Sequence, residues 1–132
     1  MRLRYLPHIA RILLGLTFAG FGLNSLLGLF PPPPSDPAAM PFLGGLASAP
    51  YFFPLLDATE LLAGVALLAN RWVPLAAIVL APIIVHIFAF HLFLSPGLGL
   101  PTLLLFLELV VAWTHRDAFG PLFRSGEARS CG

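Results

Sequence analysis

The sequence contains no lysine and has few charged residues of any kind. Charged residues make up 10% of the chain, against roughly 25% in ordinary soluble domains, and hydrophobic residues make up 58%. A soluble domain of 132 residues cannot bury so much apolar surface. The shortage of charge therefore indicates a protein whose solvent is lipid. The net charge of +1 gives no basic surface for nucleic acid.

Cysteine is also scarce. The single Cys131 cannot form a disulfide within the chain, so redox chemistry by a resident thiol pair is excluded. The sequence lacks a glycine-rich phosphate loop, a nucleophile elbow and a H-E-x-x-H metal motif. It also lacks haem, flavin and iron–sulfur signatures. If the protein takes part in electron transfer, the electron carrier belongs to another subunit.

The most prominent feature of the sequence is a set of long apolar runs. Four of them, at residues 9–30, 51–69, 72–94 and 98–114, approach the roughly 20 residues that a helix needs to cross a bilayer. We therefore predict an all-α membrane protein, an antiparallel four-helix transmembrane bundle. It forms a single domain over residues 1–123, with a cytoplasmic tail at 124–132. The first run is too long for the apolar core of a signal peptide, so we expect a retained anchor.

Proline and polar residues mark the breaks between these runs. Four prolines at 31–34 cannot continue a helix, and Asn70 with Arg71 forms a very short turn that predicts a helical hairpin. Pro82 removes one backbone donor and predicts a kink in the third helix. The segment 38–48 is too short to span and is compatible with a short interfacial helix or with a plain loop.

The arginines predict the orientation. In a four-span chain all seven fall on one side, namely Arg2, Arg4, Arg11, Arg71, Arg116, Arg124 and Arg129. The other side carries only Asp36. This asymmetry follows the positive-inside rule and predicts that both termini are cytoplasmic.

Six polar residues fall inside the apolar runs: Asn24, Asp57, Glu60, His86, His91 and Glu108. Such residues are costly in lipid and usually face the interior of a bundle. Glu60 and His86 each lie roughly 13 Å from the outer end of their helix, and Asn24 and Glu108 lie roughly 10 Å from theirs. We therefore expect these four side chains in one layer. A stripe of Gly20, Asn24 and Gly28 and a second of Glu60 and Gly64 are expected to bring the helices together.

The predicted roles follow from residue chemistry. Glu60 and His86 are candidates for proton transfer, and because desolvation disfavours two charges, we expect one shared proton. Asn24, Glu108, Asp57 and His91 are candidate ligand-binding residues. The structural alternative is a hydrogen bond between helices that fixes their register. Imidazole and carboxylate are also metal ligands, but helix two lacks the Glu-x-x-His motif of di-iron bundles, so no metal is predicted.

Several segments together resemble a known family. These are Phe21-Gly22-Leu23-Asn24, Glu60-Leu61-Leu62-Ala63-Gly64, Ala81-Pro82-Ile83-Ile84-Val85 and Arg116-Asp117-Ala118-Phe119. In this order and spacing, over about residues 5–123, the chain resembles the DoxX-like membrane proteins. The resemblance implies a four-helix protein of the bacterial inner membrane and a link to quinone or thiol and sulfur redox systems. Many relatives carry Asn where this chain has His86.

Three functions stay open. The first is a membrane subunit of a quinone-linked or thiol/sulfur redox system, which binds a quinone and acts only with a soluble redox partner. The second is a non-enzymatic scaffold or assembly partner in the bilayer. The third is a carrier of a small solute, which the lack of an inverted repeat makes the weakest. Whether the protein is an enzyme, and whether it forms a homo-oligomer, stays open as well.

Overall fold

The computed structural model describes residues 2–124, and all the regular structure in that range is helical. The helices are α1 (Leu6–Leu27), α2 (Met40–Ala47), α3 (Phe52–Leu68), α4 (Val73–Phe93), α5 (Gly99–Thr114) and α6 (Arg116–Phe119). Short 3₁₀ turns occur at Arg2–Arg4 and Gly120–Phe123. The predicted tail beyond Arg124, with Arg129 and Cys131, lies outside the described residues. The predicted all-helical class is confirmed for residues 2–124.

Two helices, α1 and α4, are long and apolar enough to cross a membrane. Helices α2 and α3 meet the same test together, but they are bent by 92° at the break between them, so they form a third span only as a broken one. Helix α5 is apolar but shorter. Large apolar side chains cover the outside of these helices, as Leu16, Leu62, Val85 and Leu109 do. A helix that is apolar on every side suits a lipid solvent.

Helix α1 ends before the four prolines, and the predicted boundaries of 9–30 are displaced by three residues. Pro7 lies in the first turn, where its missing N–H costs nothing. Gly28 adopts a left-handed conformation with φ 62°, and its N–H donates to the carbonyl oxygen of Asn24 at 2.8 Å. A glycine in this conformation ends a helix by itself. The glycine, and not proline, therefore stops α1.

Glycines bring α1 and α3 into direct backbone contact. A Cβ on Gly15 would lie 3.0 Å from the carbonyl oxygen of Gly64, and one on Gly22 would lie 2.5 Å from that of Asp57. Because residues 15 and 22 meet residues 64 and 57, the two helices run in opposite directions. The predicted stripe of Gly20, Asn24 and Gly28 is wrong, since a Cβ at either Gly20 or Gly28 would meet nothing within 4 Å.

The remaining helices close the core. Helix α5 packs against α1 and α4, and α4 also packs against α3. The largest fully buried side chains come from α1, α3, α4 and α5: Leu14, Phe18, Leu67, Leu80, Ile84, Leu104, Val111 and Pro101. Helix α4 continues through Pro82 without a break. The predicted bend there stays a prediction.

The turn between α3 and α4 is short, as predicted, and a side chain from α1 supports it. The Arg11 guanidinium donates to the carbonyl oxygen of Leu67 and, at 3.4 Å, to that of Leu68. A cation at a helix C-terminus satisfies unpaired carbonyl groups and opposes the helix dipole. Arg11 therefore closes the last turn of α3.

Candidate functional site

A cleft of about 540 Å³ lies between α2, α3 and α4, and its mainly apolar lining includes three polar side chains, Glu60, His86 and His91. The plain-loop alternative for residues 38–48 is wrong, because Met40–Ala47 forms a helix. Its side chains Phe42, Leu43 and Leu46 are half-buried and line the cleft. The sharp bend between α2 and α3 thus turns a short apolar helix toward α4 and builds one wall of the site.

Glu60 is the buried acidic group of this cleft. It lies on α3, is 8% exposed, and lines the cleft opposite residues of α4. Among residues 2–124 no group donates a hydrogen bond to its carboxyl oxygens. Its oxygens are not among the fully buried unpartnered atoms of the described residues, so they remain accessible although most of the side chain is buried. Glu60 therefore has unused hydrogen-bonding capacity at the wall of an open cleft.

His86 lines the same cleft from α4. Its ring lies against Phe42, with 5.5 Å between the ring centroids and an angle of 32° between the planes. The side chain is exposed and not buried in the bundle interior. No hydrogen bond joins His86 to Glu60 in the described part of the chain. The structure thus brings the two predicted proton-transfer residues to one cleft, without the direct bond that a shared proton requires.

His91 is the second imidazole of the cleft. Its Nδ1 lies 2.8 Å from the carbonyl oxygen of Ile87. Because a carbonyl oxygen only accepts, Nδ1 carries the hydrogen and donates it. The other nitrogen, Nε2, is then a hydrogen-bond acceptor, and no donor contacts it within residues 2–124. The ring packs edge-on against Phe90, with centroids 5.3 Å apart.

Aromatic rings form most of the remaining lining. Phe42 packs on Phe90 with 5.9 Å between centroids, and Phe52 meets Phe53 in an edge-to-face arrangement at 5.4 Å. All four rings line the cleft. A pocket that combines aromatic walls with a few polar groups is typical of sites for small organic ligands.

Asp57 and Asn24 have other partners. The hydroxyl of Ser25 donates to Asp57 Oδ2 at 2.5 Å and ties α1 to α3. The side-chain oxygen of Asn24 accepts from the backbone N–H of Phe30 at 2.8 Å, which closes the chain after α1. Neither residue lines the cleft. The structure therefore gives these two predicted ligand-binding residues structural contacts.

Glu108 lies in a different groove, of about 390 Å³, between α4 and α5. It is 5% exposed, and its Oε2 is buried with no hydrogen-bond partner among the described residues. Phe119, Leu122 and Phe123 from the C-terminal segment also line this groove. Glu108 therefore does not share the cleft of Glu60 and His86, and one common depth for Asn24, Glu60, His86 and Glu108 stays a prediction. Counting residues gives the depth of a side chain along its helix, but not the direction in which it points.

Comparison with known families adds one finding. The family profile described as DoxX matches residues 6–93, which is more than half of the chain. The chain belongs to the DoxX family. No curated protein and no solved structure matches the chain. The DoxX match includes every residue that lines the cleft, whereas α5 and Glu108 lie beyond it.

Sequence reasoning about this DoxX protein missed two residues. The arginine pattern predicts only that Arg11 lies on the cytoplasmic side, and the sequence pattern predicts no role for Ser25. Both have a sequence signal: a charge inside the first apolar run, and a hydroxyl next to Asn24. Within a span such groups seek a buried partner, and here the partners are the end of α3 and Asp57.

The chemistry open to the DoxX cleft follows from its three polar groups. Glu60 carries a carboxyl group, and His86 and His91 carry imidazole rings whose nitrogens donate or accept hydrogen bonds. Within residues 2–124, no three His, Cys, Asp or Glu side chains come together as a metal site. The cleft therefore combines aromatic walls with one carboxyl and two imidazole groups.

Proposed function

We propose that this DoxX-family membrane protein is a membrane subunit of a redox system that binds a quinone in the cleft between α2, α3 and α4. The observation that carries the proposal is the lining of that cleft. It combines four phenylalanine rings with two imidazoles and the carboxyl of Glu60, which accepts no hydrogen bond among residues 2–124. The reaction uses electrons from a soluble redox partner and protons from this chain.

A quinone headgroup is flat and apolar, and it carries two carbonyl oxygens. Aromatic rings attract flat rings by stacking and edge-to-face contact. Reduction to the quinol takes two electrons and two protons. Glu60 as the carboxylic acid donates to one carbonyl oxygen, and His86 as the imidazolium donates to the other. These two groups then take up protons again from water at the open side of the cleft.

The membrane arrangement is part of the proposal. We infer an antiparallel four-helix transmembrane bundle in the bacterial inner membrane, with α2 and α3 as one broken span and α5 as a short fourth span. Arg11 donates to the end of α3, Arg71 lies in the turn that follows it, and Arg116 follows α5. This clustering supports a cytoplasmic location for that end and for both termini. The quinone cleft then opens toward the outer half of the bilayer.

A second candidate is a non-enzymatic scaffold that assembles other membrane or redox proteins. Two observations favour it, namely the Ser25–Asp57 hydrogen bond and the Arg11 contact with Leu67. Both show that polar side chains in these helices serve packing. Glu60 differs from them, because it has no such partner among residues 2–124, and this difference favours the quinone site.

The decisive experiment uses the full-length protein in liposomes that contain a quinone and a candidate soluble redox partner. We expect quinone reduction only when all three components are present. Glu60→Gln and His86→Ala should each reduce the rate at least tenfold, with normal membrane insertion. Glu108→Gln is the matched control, because it alters a buried carboxyl of the other groove, and it should retain the rate.

Binding is measured separately with a photoreactive quinone analogue and peptide mapping. Labelling should fall on α2, on the start of α3 and on the outer half of α4. Equal labelling of Phe42 peptides with and without competing quinone would reject the site. Full activity in both cleft variants, together with capture of stable partner proteins, would favour the scaffold.

A further inference from the structure

A second groove between α3 and α4 lies toward the other end of the two helices and has a volume of about 460 Å³. Its walls are almost wholly apolar and include Leu62, Val65, Ala66, Ala69, Leu75 and Val79. At one end stand Arg71 and Trp72, from the turn that joins the helices. The groove is thus long and apolar, with a cation at its mouth.

The Arg71 guanidinium has no hydrogen-bond acceptor among residues 2–124. Two other arginines near the same end of the helices are engaged, since Arg11 donates to Leu67 and Arg116 donates to the carbonyl oxygen of Trp113 at 3.2 Å. Arg71 only stacks over Trp72, with 5.7 Å from its Cζ to the ring centroid. Its hydrogen-bond donors are therefore available to an external anion.

The backbone has an unusual conformation on both sides of Arg71. Asn70 and Trp72 adopt left-handed conformations, with φ of 55° and 52°. Asn tolerates this region, but a bulky aromatic residue rarely enters it. Trp72 is nevertheless 71% exposed, and its ring lies at the mouth of the groove beside Arg71.

We propose that this groove binds an anionic phospholipid, with its phosphate on Arg71 and an acyl chain between α3 and α4. The groove extends along α3 from Ala69, at the end of the helix beside Arg71, to Thr59, which is roughly 15 Å at the helical rise. One leaflet of hydrocarbon is about 15 Å thick. A free phosphate would leave this apolar length uncovered, whereas a lipid covers it and supplies the charge. The proposal requires a membrane location but not the quinone site.

Native mass spectrometry of the full chain in detergent tests the proposal. Phosphatidylglycerol and phosphatidylcholine with identical acyl chains are the probes. We expect about fivefold tighter binding of the anionic lipid, as for one basic side chain near a charged leaflet. Arg71→Ala should remove this preference. Arg116→Ala should keep it, because Arg116 stacks on Trp113 in the same way, at 5.0 Å, but lines no described groove.

A second variant tests the acyl chain. Ala66→Phe fills the groove and should weaken binding of both lipids, with the secondary structure unchanged by circular dichroism. Glycerol phosphate, which lacks acyl chains, should not displace the bound lipid. Equal binding of the two lipids by the wild type, or equal losses in Arg71→Ala and Arg116→Ala, would overturn the proposal. A dimer that Ala66→Phe dissociates, without lipid preference, would assign the groove to a second copy instead.

Discussion

Ser25 of α1 donates a hydrogen bond to the carboxylate of Asp57 on α3, with 2.5 Å between the two oxygens. One turn further along α3, Glu60 lines the cleft and has no donor within residues 2–124. The two carboxyls therefore differ in their surroundings although they are neighbours on one helix. A satisfied carboxyl fixes the packing of two helices, whereas an unsatisfied one at a cleft is available to a ligand.

We expect Ser25→Ala to lower the free energy of unfolding by about 1 kcal/mol, because it leaves the buried Asp57 without its donor. Denaturation in mixed micelles, followed by circular dichroism, measures this change. Thr17→Ala is the control, since the Thr17 hydroxyl donates only to Leu13 within the same helix at 2.8 Å. Equal losses in the two variants would mean that the contact between helices contributes nothing.

The glycine contact gives a second prediction. A Cβ on Gly64 would collide with the backbone of Ala19, which a side-chain movement cannot relieve. Gly64→Ala should therefore separate α1 from α3 and lower the free energy of unfolding by about 2 kcal/mol or more. Gly20→Ala adds the same methyl group in open space, and there it should raise helix stability by about 0.5–1 kcal/mol. Similar stabilities for both variants would contradict the observed helix packing.

These two glycines illustrate what sequence reasoning reaches. Residue type and spacing correctly indicate that α1 and α3 pack through small residues, and they correctly select Gly64. On α1 they select Gly20 and Gly28 rather than Gly15 and Gly22. A helix that is apolar on every side carries no polar face to distinguish its buried side, so the direction of each residue depends on the partner helix.

Site prediction has the same physical limit. Glu60 and His86 are predicted to face each other, and both line one cleft. Helical spacing places His91 on another side of α4 from His86, yet it lines the same cleft. The wall that α2 forms depends on a 92° bend that proline and glycine spacing does not specify. Glu108 has the same chemistry as Glu60 but faces another groove. Its direction follows from the packing of α5 against α4, which sequence alone does not give.

Glu108 also provides a prediction about stability. Its Oε2 is buried without a partner in the described range, and such a group costs about 1–3 kcal/mol. Glu108→Leu removes this cost and is close in size, so we expect the free energy of unfolding to rise by about 1 kcal/mol. Glu108→Gln leaves a buried polar group and should give no such gain. A loss of stability in Glu108→Leu would show that the carboxyl has a partner in the native membrane.

The last prediction concerns orientation, on which the proposed cleft and the lipid groove both depend. Arg71 lies in the turn between α3 and α4, and Ser35 lies in the proline-rich segment between α1 and α2. If α1 crosses the bilayer with its arginine-rich end inside, these positions are on opposite sides.

In a Cys131→Ser background, a membrane-impermeant thiol reagent should label Ser35→Cys in intact cells and spare Arg71→Cys. Permeabilised cells are the control for reactivity, because both cysteines should then react. Labelling of Arg71→Cys in intact cells would contradict this orientation. It would place the cleft between α2, α3 and α4 in the inner half of the bilayer and the groove at Arg71 in the outer half.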